Sequence, residues 1–95
     1  LLINLWLDTN VTKTNIEFGD IRLQGSNILF TNGIEDIWKP VSIEYLPETS
    51  PMQAIMIDCP DCAHCVDFST PKDTDHPNLK AARAKIEAFT KKILG

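Results

Sequence analysis

Over the first two-thirds of the chain, hydrophobic and polar residues switch every few positions, broken by turn-forming residues. This is the pattern of short strands joined by tight connections. Residues 1–8 are apolar with polar interruptions and read as a first strand; 9–15 read as a polar connection. Ile16, Phe18, Ile21 and Leu23 flank Gly19 and Asp20, which predicts one bulged strand or a tight pair. Gly25, Ser26 and Asn27 form a turn signal before a strand at 28–31. Asn32-Gly33 is the strongest hairpin signal, because both residue types tolerate the positive φ of a two-residue turn. A returning strand is then expected over 34–38, another over 41–46 after Pro40, a loop at 47–51, and two arms at 52–58 and 65–68.

The end of the chain changes period. Leu79, Ala82, Ile86, Phe89 and Ile93 recur at spacings of three and four, one stripe of an α-helix over 77–94. Pro77 suits its first turn, Asp75 or His76 its N-cap, Lys91 and Lys92 its last turn, and Gly95 its end. The predicted fold is therefore α+β. It has an antiparallel sheet or small barrel of about five to seven short strands, with one C-terminal amphipathic helix packed on it. That order is similar to the order of pleckstrin-homology-like barrels, a likeness of topology alone. A single domain is expected over 1–95, with a β-rich body at 1–68.

Ninety-five residues, 43% hydrophobic and 23% charged, suit one soluble globular domain rather than disorder. The apolar run at 1–7 lacks a basic start and a small-residue cleavage site, and is too short to span a bilayer. The net charge of −4 divides unevenly. Residues 1–76 carry twelve acids and four bases, a net −8, while 77–95 carry five bases and Glu87, a net +4. An acidic body disfavours nucleic acid as a partner and favours a basic protein.

The candidate chemistry lies in Cys59-Pro60-Asp61-Cys62-Ala63-His64-Cys65, which holds all three cysteines. Cys-x2-Cys is the spacing of a metal knuckle, and Cys59, Cys62 and Cys65 with His76 or His64 would complete a Cys3His zinc set. Three ligands from one short segment, and Ala63 where a knuckle commonly has glycine, count against metal. The alternative is a hairpin in which Cys59 and Cys65 face each other and pack, or bridge under oxidation. As a nucleophile, a thiol here is opposed by Asp58, Asp61 and Asp67, whose charge disfavours thiolate. An odd cysteine count points to a reducing, cytoplasmic setting. No serine stands in a nucleophile-elbow pattern. His76 reads as a capping residue, and Trp6 and Trp38 as core or sheet-edge residues.

Together these features predict a small acidic binding module without catalysis and without a cofactor, of the inhibitor or immunity type. Its contact surface would comprise Glu35, Asp36, Glu44, Glu48, Asp58, Asp61 and Asp67, whose charge would steer a basic protein partner. The alternatives are a zinc-stabilised or thiol redox domain on the cysteine cluster, and an assembly subunit.

Overall fold

The computed structural model describes residues 2–95. The chain opens with helix α1, Leu2–Phe18, followed by a 3-10 turn at Asp20–Arg22. Strand β1, Leu29–Gly33, and strand β2, Gln53–Ile57, are separated by a long connection that holds a 3-10 turn at Lys39–Val41. After β2 come a tight loop, a 3-10 turn at Val66–Phe68, and helix α2, Pro77–Leu94.

The two strands pair in parallel, with Leu29 opposite Gln53 and Gly33 opposite Ile57. The expected antiparallel sheet or barrel of five to seven strands is therefore corrected to two helices and one two-stranded parallel sheet. The largest single cause is Asn32-Gly33, which does not turn the chain. Asn32 is buried, and its Nδ2 donates to the carbonyl of Ile43 at 2.9 Å. A Cβ on Gly33 would lie 2.3 Å from the Cys62 carbonyl oxygen and 2.4 Å from that of Ala63. Glycine is there so that two backbones can touch, a second use of the same residue. Parallel pairing then needs a long crossover, which residues 34–52 supply.

The strand expected over 1–8 is helical from Leu2, and Leu1 lies outside the described residues. Ile3, Leu5, Trp6, Leu7, Val11, Ile16 and Phe18 are spread around the α1 axis instead of forming a stripe, so the helical period is masked. All seven remain exposed. Thr9 and Thr14 direct their hydroxyls back to the carbonyls of Leu5 and Asn10, at 2.8 and 2.9 Å. The helix ends on Gly19, whose φ of 91° is the left-handed conformation that glycine adopts freely.

Helix α2 forms over the expected residues. His76 caps it, its Nδ1 accepting from the Asn78 N–H at 3.2 Å, with Pro77 in the first turn. Gly95 closes it at φ 85°. Leu79 and Ala82 face inward and join Ile57, Cys59 and Cys62 in the core, with Ile55 and Val66 packed against it. The core thus sits where the end of β2, the loop after it and the first turns of α2 converge.

Candidate active site

β1 and β2 both run toward the same end of the sheet, so the loops that follow them emerge side by side. The ladder continues one step beyond the strands, with Ile34 N–H donating to the Ile57 carbonyl at 3.0 Å. Glu35 N–H then donates to the Cys62 carbonyl at 3.0 Å, and Asp36 N–H turns back to Gly33 at 3.1 Å. Asp36 is thereby fixed just past β1. One carboxylate oxygen, Oδ1, accepts the Trp38 N–H at 2.8 Å, an Asx turn that locks the side chain.

The other oxygen, Oδ2, lies 2.8 Å from His64 Nδ1. An ionised carboxylate only accepts, so Nδ1 carries the hydrogen; in the neutral imidazole the opposite nitrogen, Nε2, then holds the lone pair. The Asp36 side chain is 9% exposed, whereas that of His64 is 62% exposed. A covered acid thus orients an accessible imidazole. The hydrogen bond from His64, with the Trp38 N–H and the charges of His64 and Lys39, holds the Asp36 carboxyl below its ordinary 3.8 against the opposing effect of burial. Asp36 is ionised throughout the neutral range.

His64 is carried by an unusual stretch of backbone. Cys59 and Cys62 form a disulfide with Cα atoms 5.3 Å apart, closing the turn around Pro60 and Asp61. Asp61 and Cys65 have φ of 61° and 57°, left-handed values uncommon outside glycine, on either side of the histidine. Such conformations persist where the surroundings dictate them, and they concentrate at functional sites. Beyond Cys65 the chain is held from both sides. Thr31 of β1 donates to Asp67 Oδ2 at 3.1 Å, and Arg83 of α2 donates to the Ser69 carbonyl and hydroxyl at 2.8 Å each. A groove of 190 Å³ runs along the pair, with Trp38, Val41, Ser42, Cys65 and Phe68 among its walls.

The acidic residues expected at a contact surface lie on the connection between the strands and on the segment that follows β2. Asp36 pairs with His64 and Asp67 with Thr31. Glu35, Glu44 and Glu48 are exposed along the β1–β2 connection, and Asp58 and Asp61 are exposed on the loop after β2, with the Asp58 carbonyl accepting from Asn78 Nδ2 at 2.6 Å. Of the expected metal ligands, Cys59 and Cys62 are joined in the disulfide, Cys65 is a free exposed thiol, and His76 caps α2. Among the described residues no group of three or more His, Cys, Asp and Glu side chains is placed to hold a metal ion. The Asp36–His64 pair escaped the sequence reading because its members are 28 positions apart. The signal that could have found it is an acid just after one strand and a histidine just after the next, in a parallel sheet.

Comparison with known proteins bears on this geometry. The model of a family described as serine carboxypeptidase S28 matches residues 4–86. A probable serine protease EDA2 of Arabidopsis thaliana is 39% identical over 58 residues, covering 61% of this chain and 12% of that protein. The thymus-specific serine protease of Mus musculus is 32% identical over 77 residues, covering 80% of this chain and 14% of the relative. The chain therefore spans only a small part of the length of these relatives. No solved structure matches. The matches overturn the expectation of a non-catalytic inhibitor or immunity-type module: the family and both relatives are described as serine peptidases.

Proposed function

Because this chain belongs to the serine carboxypeptidase S28 family, we infer that Asp36 and His64 are the acid and the base of a serine-peptidase triad. The observation that carries the reading is the 2.8 Å contact between a covered carboxylate and the Nδ1 of an accessible imidazole. In peptide hydrolysis His64 Nε2 takes the proton from a serine hydroxyl as its oxygen attacks the scissile carbonyl. It then returns that proton to the departing amine. Asp36 keeps the imidazole in the tautomer that leaves Nε2 basic, and stabilises the imidazolium formed during the attack.

The nucleophile is proposed to be a serine that precedes this segment in the whole protein. An acid followed by a histidine is the order that closes a Ser…Asp…His triad on an α/β-hydrolase sheet, where the serine comes first. Ser42 borders the same groove, but it follows Asp36 just after a 3-10 turn and lacks the strand-to-helix elbow that exposes such a nucleophile. The Cys59–Cys62 bridge supports an oxidising compartment for the protein, in place of the cytoplasmic setting read from the cysteine count.

Labelling of the whole protein with a fluorophosphonate, which reacts with serines activated by a histidine, tests the reading. Labelling is expected in the parent and in Ser42→Ala, and should fall at least 100-fold in rate in His64→Ala. Full labelling of His64→Ala would remove the proposed base.

A further inference from the structure

The cysteine motif is the one conspicuous feature that the triad does not use, and it stands directly before the base. We propose that the Cys59–Cys62 disulfide is a positioning element for His64, so that its reduction by a dithiol releases the imidazole from Asp36 and lowers turnover. The inference rests on the reading of Asp36 and His64 as acid and base.

The bridge occupies the junction between the two catalytic loops. Cys59 and Cys62 are 3% and 2% exposed and lie in the core with Ile57, Leu79 and Ala82. Within the turn, Cys62 N–H donates to the Cys59 carbonyl at 3.1 Å. The Cys62 carbonyl in turn accepts the N–H of Glu35, the residue before Asp36, at 3.0 Å. The backbone at Cys62 and Ala63 also lies against Gly33 with no space for even a methyl group. Cys62 therefore joins the loop carrying the base to the loop carrying the acid, two positions before His64.

Packing alone does not fix the imidazole. Its side chain is 62% exposed, so packing restrains it weakly, while the left-handed Asp61 and Cys65 on either side need external support. Reduction transfers two electrons and two protons from the dithiol. The S–S bond breaks, Cys59 and Cys62 become thiols, and the dithiol closes to its own disulfide. Two thiols cannot remain at bonding distance, so the turn must widen. Gly33 blocks widening toward β1, and the slack passes along the chain to His64. A small displacement of a catalytic group suffices for a large rate effect.

The test compares the whole protein with its Cys59→Ala/Cys62→Ala variant on a peptide substrate, and treats each with dithiothreitol. The variant is expected to lose about 100-fold in kcat with KM within twofold, since binding contacts are untouched while the base is misplaced. Dithiothreitol should bring the parent to the variant's kcat, with recovery on reoxidation, and should leave the variant unchanged. Alkylation of two additional thiols confirms that the bridge was opened, and a retained cooperative melt separates misplacement from unfolding. Unchanged kcat in the bridge-free variant would overturn the proposal, as would a loss explained by unfolding or by a rise in KM alone. His64→Ala distinguishes the two levels. If it is inactive while bridge loss is harmless, only the positioning role fails; if it is fully active, the triad reading itself fails.

Discussion

Two residues next to the site show how local chemistry decides function. Gly33 has no need of positive φ; what it supplies is the absence of a Cβ against the Cys62 and Ala63 carbonyls. Gly33→Ala should therefore push the His64 loop away from Asp36. The expected result is a loss of roughly 1–3 kcal/mol from overpacking, read as a lower thermal midpoint, together with at least a tenfold fall in kcat. Asn32-Gly33 was conspicuous in the sequence for a sound reason, since few residue pairs so strongly mark a special backbone. Sequence alone does not distinguish a turn from a close approach, because glycine permits both. Asp36 and His64 were individually visible but not as a pair. An acid among thirteen and one of two histidines acquire meaning only when the sheet is known to be parallel.

At the scale of elements, α2 was legible almost to the residue and α1 was not. The stripe of Leu79, Ala82, Ile86 and Phe89 has a single helical period because only one side of that helix meets the core. α1 carries apolar side chains all round, and Ile16-Glu17-Phe18 even alternates with the period of a strand, so its pattern names no face. The segment after His64 shows how a loop without regular structure is restrained. Arg83 of α2 forms an ion pair with Asp75 while also donating to Ser69, tying the connection at both ends. The Lys72 N–H and then the Arg83 guanidinium hold the Asp75 carboxyl below its ordinary 3.8. A depressed carboxyl stabilises the fold above its unfolded value, and that contribution disappears as pH falls through the still lower folded value. Asp75→Asn should therefore lower the thermal midpoint at pH 6, and the gap from the parent should narrow below about pH 4. A gap that stayed constant down to pH 2 would show that this carboxylate does not restrain the loop.

The whole molecule is less compact than a self-sufficient domain. Its radius of gyration is 16.5 Å and its extents are 54 × 31 × 21 Å, against about 12 Å expected for a compact domain of this length. Trp6, Phe18, Trp38 and Phe68 are all more than half exposed. Composition predicted a closed globule because the apolar content is ordinary; composition counts apolar residues without saying whether they meet one another. Net charge has the same limit: the −8 of residues 1–76 does not say where each carboxylate lies, and Asp36 is 9% exposed and paired with His64. What unites the molecule is the convergence of two parallel strand ends, a bridged turn and a helix on one Asp–His pair. The most direct test is the kcat of Asp36→Asn in the whole protein, measured on a peptide substrate at neutral pH. The amide keeps the shape but favours the wrong tautomer of His64, so kcat should fall by about 10⁴-fold with the fold intact. A kcat within threefold of the parent would contradict the assignment of Asp36 as the partner that makes His64 a base.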